Sequence, residues 1–158
     1  MYKHRNGKWH LIWNPSSDQK EFQKDQIDIS YLQLVLHIHQ LSDYKYDFEV
    51  NYFHIDSQGQ ALKMAYIYLQ GEKNKPIITL MHGKNFNADY WTSTARYLHQ
   101  LGYSVLIPDQ IGFGKSSKPT HYQYSFASLA HHTHALMNSL NIEKSIVMGH
   151  SMGGMLAS

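Results

Sequence analysis

VMGHSMGGMLAS, residues 147–158, decides the fold. An apolar run ends at Gly149, a serine stands at 151 between two glycines, and small and apolar residues follow. Gly149, Ser151 and Gly153 spell G-x-S-x-G, a pattern that chance alone would place in roughly one chain in twenty of this length. Position gives it weight. A serine held on a sharp turn between a buried strand and a helix has a strained backbone, and side chains two residues to either side would collide. Both flanking positions here are glycine. The turn also aims the amide of Met152 and the start of the next helix at Ser151. A helix N-terminus carries unsatisfied N–H groups and a partial positive charge, so an oxyanion forming beside the serine would be stabilised there.

Working outward, KSIVMG (residues 144–149) reads as a buried strand, as do IITLM (77–81) and YSVLIP (103–108), continuous apolar runs of the kind that fill a two-faced sheet. Between them, DYWTSTARYLHQLG (89–102) reads as a helix closed by Gly102. A second helix starts at about Ser125, its N-cap, with Phe126, Leu129, Ala130, Met137 and Leu140 at helical spacing. This alternation forces crossover connections, hence a parallel sheet covered on both faces and an α/β fold class. Before it, FEVNYFHI (48–55) and LKMAYIYL (62–69) alternate around the turn SQGQ and read as an antiparallel hairpin. Residues 1–45 keep no steady period, with Asn14, Pro15, Ser16 and Ser17 as a turn or linker. The expected organisation is an N-terminal extension of unclear structure over 1–45 and an α/β domain over 46–158. Ligands of such sheets bind beyond the carboxyl ends of the strands. Three loops leave those ends: HGKNFN after Met81, DQIGFGKSS after Pro108 and GHSMGG after Met148.

Composition removes several classes of function. With 42% hydrophobic and 16% charged residues in 158, the chain reads as globular. A net charge of +2, spread along the chain, offers no surface for nucleic acid. The absence of cysteine excludes disulfides, thiolate zinc sites and cysteine nucleophiles. No run reaches the eighteen or so apolar residues of a membrane-spanning helix, so no integral membrane association is expected. Lys3, Arg5 and Lys8 precede ISYLQLVLHIHQL (29–41), but Gln33, His37, His39 and Gln40 interrupt that stretch. An amphipathic helix or a poorly ordered extension is the preferred reading over a secretory signal. The default location is the cytoplasm, with secretion or a periplasmic site as the alternative.

From about residue 48 to its end the chain resembles the N-terminal part of an α/β-hydrolase of the serine type. HGKNFNADYW (82–91) is similar to the oxyanion loop, DQIGFGKSSKP (109–119) to the loop after the next strand, and GHSMGG (149–154) to the nucleophile elbow. Three motifs in order, each after a buried strand, are far more specific than any one. The resemblance implies Ser151 as nucleophile, Met152 and Lys84 as backbone oxyanion donors, and His82 with Gly83 as the turn that shapes the oxyanion loop. Serine at the elbow disfavours the dehalogenases and epoxide hydrolases, which carry aspartate there. The implied chemistry is hydrolysis of an ester, thioester, amide or carbon–carbon bond in a small-molecule substrate, with no cofactor and no metal.

The family's acid and histidine follow the serine in chain order. None of the seven residues after Ser151 is Asp, Glu or His, so the expectation is an incomplete domain, inactive by itself. Upstream substitutes fare poorly. His150 neighbours the serine, but adjacent side chains on such a turn point apart. His82 is expected to brace the oxyanion loop, and Asp109 to shape its own loop. His131 and His134 share a helical face without a third ligand and read as solvated. Strand 144–149 is expected to expose an apolar edge, leaving the chain aggregation-prone. A non-catalytic or receptor-like binder, or a second polypeptide that completes the sheet, are the alternative readings, and the oligomeric state is left open.

Overall fold

The computed structural model describes residues 2–5, 8–11, 21–22, 41 and 43–158. It divides into two units, Met1–His39 and Gln40–Ser158. In the first, β1 (Tyr2–Arg5), β2 (Lys8–Leu11) and β3 (Glu21–Phe22) form a small antiparallel sheet. The turn at 14–17 and the amphipathic helix expected at 29–41 lie outside the described residues, apart from Leu41.

In the second unit, Gln58 and Gly59 both adopt positive φ, at 51° and 72°. Two such residues make the tight turn whose twist matches that of paired strands. The turn joins β4 (Asn51–Ser57) to β5 (Gln60–Leu69), antiparallel from Ser57↔Gln60 to Asn51↔Tyr66. The strands β6 (Ile77–Met81), β7 (Ser104–Pro108) and β8 (Ser145–Gly149) complete a five-stranded mixed sheet in the order β4-β5-β7-β6-β8. The hairpin joins through antiparallel β5 and β7, while β7, β6 and β8 run parallel. A 3-10 turn (Ala88–Trp91) leads into α1 (Thr92–Gln100), α2 (Phe126–Ser139) connects β7 to β8, and the short α3 (Met152–Leu156) follows β8.

Alternation along the strands feeds two apolar clusters. Leu62, Met64, Met81 and Leu106 pack with Leu129 and Leu136 of α2. Ile67, Ile78, Leu80, Val105 and Ile107 pack with Ala95 of α1. Each buried Leu, Ile or Met contributes on the order of 1.5–3 kcal/mol through removal from water. The second helix starts where its cap predicts: Ser125 accepts from the Ser128 amide and the Ser128 hydroxyl answers to the Ser125 backbone, a capping box.

The apolar strand 144–149, which would be buried in a complete sheet, exposes the edge expected of an incomplete domain: Ile146, Val147 and Met148 are 51%, 39% and 41% exposed. Its one sheet neighbour is β6, so its other edge has no partner among the described residues, and the α3 that packs against it is only five residues long. Phe126, read as part of the buried stripe of α2, is 50% exposed, while the polar His132 and Thr133 lie inside with Leu129 and Leu136. Phe126, on the first turn of the helix, borders the open cleft beside Ser151 and Met152 instead of the core. No helix among the described residues is long and apolar enough to cross a membrane.

Candidate active site

The site is built where β6, β7 and β8 end. Ser151 has φ 54° and ψ −118° and caps α3, in a backbone region that L-residues rarely occupy. What sustains it is close packing of main chain. A Cβ on Gly149 would lie 2.1 Å from the Gly153 carbonyl oxygen, and one on Gly153 would lie 2.1 Å from that of Met81. The His150 amide donates to the Met81 carbonyl at 3.1 Å, and the Gly153 amide to that of His150 at 2.9 Å. Residue 151 is thereby thrust out of the sheet end, and it is exposed.

The loop after β6 meets this turn directly. A Cβ on Gly83 would stand 3.0 Å from His150 Nδ1 and 3.2 Å from Ser151 Cβ, so glycine lets the two loops close without displacing either side chain. Lys84, Ser151 and Met152 border one cleft of about 920 Å³, whose apolar wall includes Phe113, Tyr124 and Leu129. The structure thus brings together Ser151, Met152, Lys84, Gly83, Gly149 and Gly153.

His82 is fully buried and both of its ring nitrogens are engaged. Nε2 accepts from the Gln110 amide at 2.9 Å, which leaves the proton on Nδ1, donated to the Gly83 carbonyl at 2.8 Å. Burial holds the imidazole below its usual value and so neutral, against the pull of the Gly83 carbonyl and Asp109. One side chain therefore ties the loop after β6 to the loop after β7.

Asp109 is the second tie. Its carboxylate accepts from the Tyr46 hydroxyl at 2.7 Å and from the amides of Ala88 and Lys115, each at 2.6 Å. Burial pushes this carboxyl up, opposed by those three donors, and burial with the neighbouring carboxylate pushes the Tyr46 phenol up as well. Gly114 is held so close that a Cβ would overlap the carboxylate. Gln110 continues the network inward to Thr133 of α2 at 2.9 Å.

No other histidine is hydrogen-bonded to the serine hydroxyl among the described residues. His150 stacks on Tyr90, with ring centroids 5.3 Å apart, and meets Phe86 edge-on. His131 and His134 are exposed on α2, and no group of three His, Asp or Glu side chains able to hold a metal occurs among the described residues. Sequence reasoning missed Tyr46 and Gln110. Tyr46 lies in no motif, and Gln110, though inside DQIGFGKSSKP, acts through His82 and Thr133, partners that only the fold supplies.

Residues 76–158 match the model of the alpha/beta hydrolase fold. Among characterised sequences, the chain is 37% identical to a putative non-heme chloroperoxidase of Synechocystis over 48% of its length and 27% of that protein's. It is 36% identical to Lipase 1 of Psychrobacter immobilis over 60% of its length and 29% of that protein's. The crystal structure of a probable hydrolytic enzyme from Pseudomonas aeruginosa superposes with a TM-score of 0.73 at 51% identity, covering 75% of this chain and 38% of that one. The chain thus spans less than a third of the length of these two curated relatives.

Proposed function

Because the chain belongs to the α/β-hydrolase fold family, we propose that it supplies the nucleophile and oxyanion half of a serine hydrolase acting on a small ester, thioester, amide or carbon–carbon bond. The observation that carries this reading is the strained, exposed Ser151, set between glycines that no other residue could replace and bordering the same cleft as Lys84 and Met152. In the proposed reaction Ser151 Oγ adds to the substrate carbonyl, and the amides of Met152 and Lys84 receive the oxyanion. The leaving group departs with a proton and the acyl-enzyme is released by water. Aspartate chemistry of the kind implied for relatives named epoxide hydrolases does not transfer, because residue 151 is serine.

The base is the missing part. Among the described residues His82 has no free nitrogen, His150 stacks on Tyr90 without a hydrogen bond to the serine hydroxyl, and Asp109 is consumed by three donors. The proposed acid–histidine pair is therefore supplied by residues other than these, on the same protein or a second polypeptide, and the described unit alone is close to inactive. Loss of a triad leaves roughly 10³–10⁴-fold catalysis over water from binding and the oxyanion hole.

A fluorophosphonate probe with intact-mass readout tests this. Expected is slow labelling at one site, lost in Ser151→Ala, and at least a hundredfold acceleration when the rest of a complete relative is supplied. Labelling at another residue would overturn the nucleophile assignment, and rapid ester turnover by the chain alone would overturn the missing base. A receptor-like binder is the second reading, favoured by one observation, a large apolar cleft beside a serine with no hydrogen-bond partner. A folded chain that binds apolar ligands and never labels would select it.

A further inference from the structure

Between the loop after β7 and α2 lies a strap, residues 119–125, whose residues 119–124 make no backbone-to-backbone hydrogen bond with the sheet or helices among the described residues; only Ser125, at its end, accepts from the Leu129 amide of α2 at 3.1 Å. It is held by side chains instead. Gln58, at the hairpin turn, donates from Nε2 to the Gln123 carbonyl at 2.9 Å and accepts from the Gln123 amide at 3.0 Å, so its carboxamide stands in for a strand's peptide group. Gln60 Nε2 reaches the Thr120 carbonyl at 3.4 Å. Deeper, three groups from three elements meet: Ser57 Oγ of β4 lies 2.7 Å from the Tyr122 hydroxyl, and His132 Nε2 of α2 lies 3.1 Å from Ser57 Oγ and 3.3 Å from Tyr122.

The strap matters because of where it leads. The Tyr122 ring packs edge-on against Tyr124, with centroids 4.9 Å apart, and Tyr124, Ser125 and Phe126 wall the cleft. We propose that His132 is a positioning residue that latches this wall: neutral, it holds Tyr122 and Ser57 and keeps the cleft shaped; protonated, it releases the strap. This does not depend on the chemistry of Ser151.

The geometry supplies the reason. His132 is 2% exposed, and its Nδ1 is buried with no hydrogen-bond partner. The neutral ring can leave Nδ1 bare and use Nε2–H toward the two hydroxyls. The imidazolium must place a second N–H where no acceptor waits, in a site too buried to hydrate it. No charge there compensates: the hairpin offers the Ser57 hydroxyl, the strap the phenol of Tyr122, and its own helix the neighbouring His131, whose ring lies 6.3 Å away. Burial first, and His131 second, hold His132 below the usual imidazole value. A group shifted in that direction contributes stability above the unfolded value, near 6.5, and loses it as the pH falls toward the folded value. The latch is closed at neutral pH and weakened by mild acid.

Hydrogen–deuterium exchange of this chain, corrected for the intrinsic pH dependence of exchange, reads the latch at the strap itself. Between about pH 7.5 and 5.5, protection of residues 119–125 is expected to fall by up to about tenfold, while β7 keeps its protection. His132→Gln, which retains a hydrogen-bonding side chain but cannot titrate, should keep the strap protected and remove the pH dependence. Gln58→Ala, at the exposed turn, should lower protection at both pH values and leave the pH dependence in place. An unchanged pH response in His132→Gln, a flat response in the parent chain, or loss of protection in β7 together with the strap would each overturn the proposal.

Discussion

Gly153 and Gly154 are adjacent, both in the first turns of α3, and their environments differ sharply. A methyl group on Gly153 would meet the Met81 carbonyl oxygen at 2.1 Å, whereas one on Gly154 would come no nearer than 3.8 Å to the Gly149 oxygen. Gly153→Ala must force β6 and the serine turn apart, at a cost of about 1–3 kcal/mol in urea unfolding. Gly154→Ala should be neutral or slightly stabilising, since alanine favours the helix. Equal effects at the two positions would refute the contact argument. Asp109 offers a second comparison. Asparagine there would turn a donating NH2 toward one of the three groups that now donate to the carboxylate. A loss of about 2–3 kcal/mol is expected for Asp109→Asn, with slower fluorophosphonate labelling because the Ala88 amide it holds anchors the loop after β6 that carries Gly83 and Lys84.

At the scale of elements, β8 exposes Ile146 to 51% along an edge with no partner among the described residues. Such an edge is a template for pairing with other chains. Ile146→Lys should reduce concentration-dependent light scattering and leave the urea midpoint within about 0.5 kcal/mol of the parent; persistent aggregation would locate the sticky surface elsewhere. The same strand shows what was legible beforehand and what was not. Its existence, its neighbours and the turn after it follow from SIVMG and the glycines, because they depend on local period and on sterics over a few residues. Its exposed edge followed only from the incompleteness of the domain and not from the apolar run itself, because burial is a property of what lies alongside. In α2 the capping serine was readable for the local reason, and the inward-facing His132 and Thr133 were not, since polar residues go inside only when distant partners, here Ser57 and Gln110, meet them. The site itself was legible in its glycines and serine, and illegible in Tyr46, which lies in none of the motifs, and in the role of Gln110, which lies in one but acts through His82 and Thr133.

For the whole second unit, acid sensitivity is the collective property to measure. His82 and His132 are both buried and both held below the ordinary imidazole value by that burial, so each withdraws stability as the pH falls below about 6.5. Asp109, shifted upward, works in the opposite sense, its contribution growing as the pH drops through its folded value. The net slope is therefore a balance, and the difference between variants isolates one member of it. Urea unfolding across about pH 7.5 to 5.5 should give a shallower decline in His132→Gln than in the parent, by up to about 1.4 kcal/mol at the acid end. Parallel curves would remove His132 from the balance.

The contact between Met81 and the serine turn ties the candidate site to the alignment of the sheet. β6 and β8 pair from Ile77↔Ser145 to Met81↔Gly149, and the next amide, His150, donates to Met81. Slippage of β8 by a single residue would turn its side chains to the opposite face and place a different carbonyl beneath Gly153. The turn could then neither close nor project its hydroxyl. A probe that reacts at Ser151 is thus also a proofreader's signal, reporting on each molecule whether its strands were threaded in the correct frame, and a refolding yield counted by that probe would exclude misaligned chains that spectroscopy scores as folded.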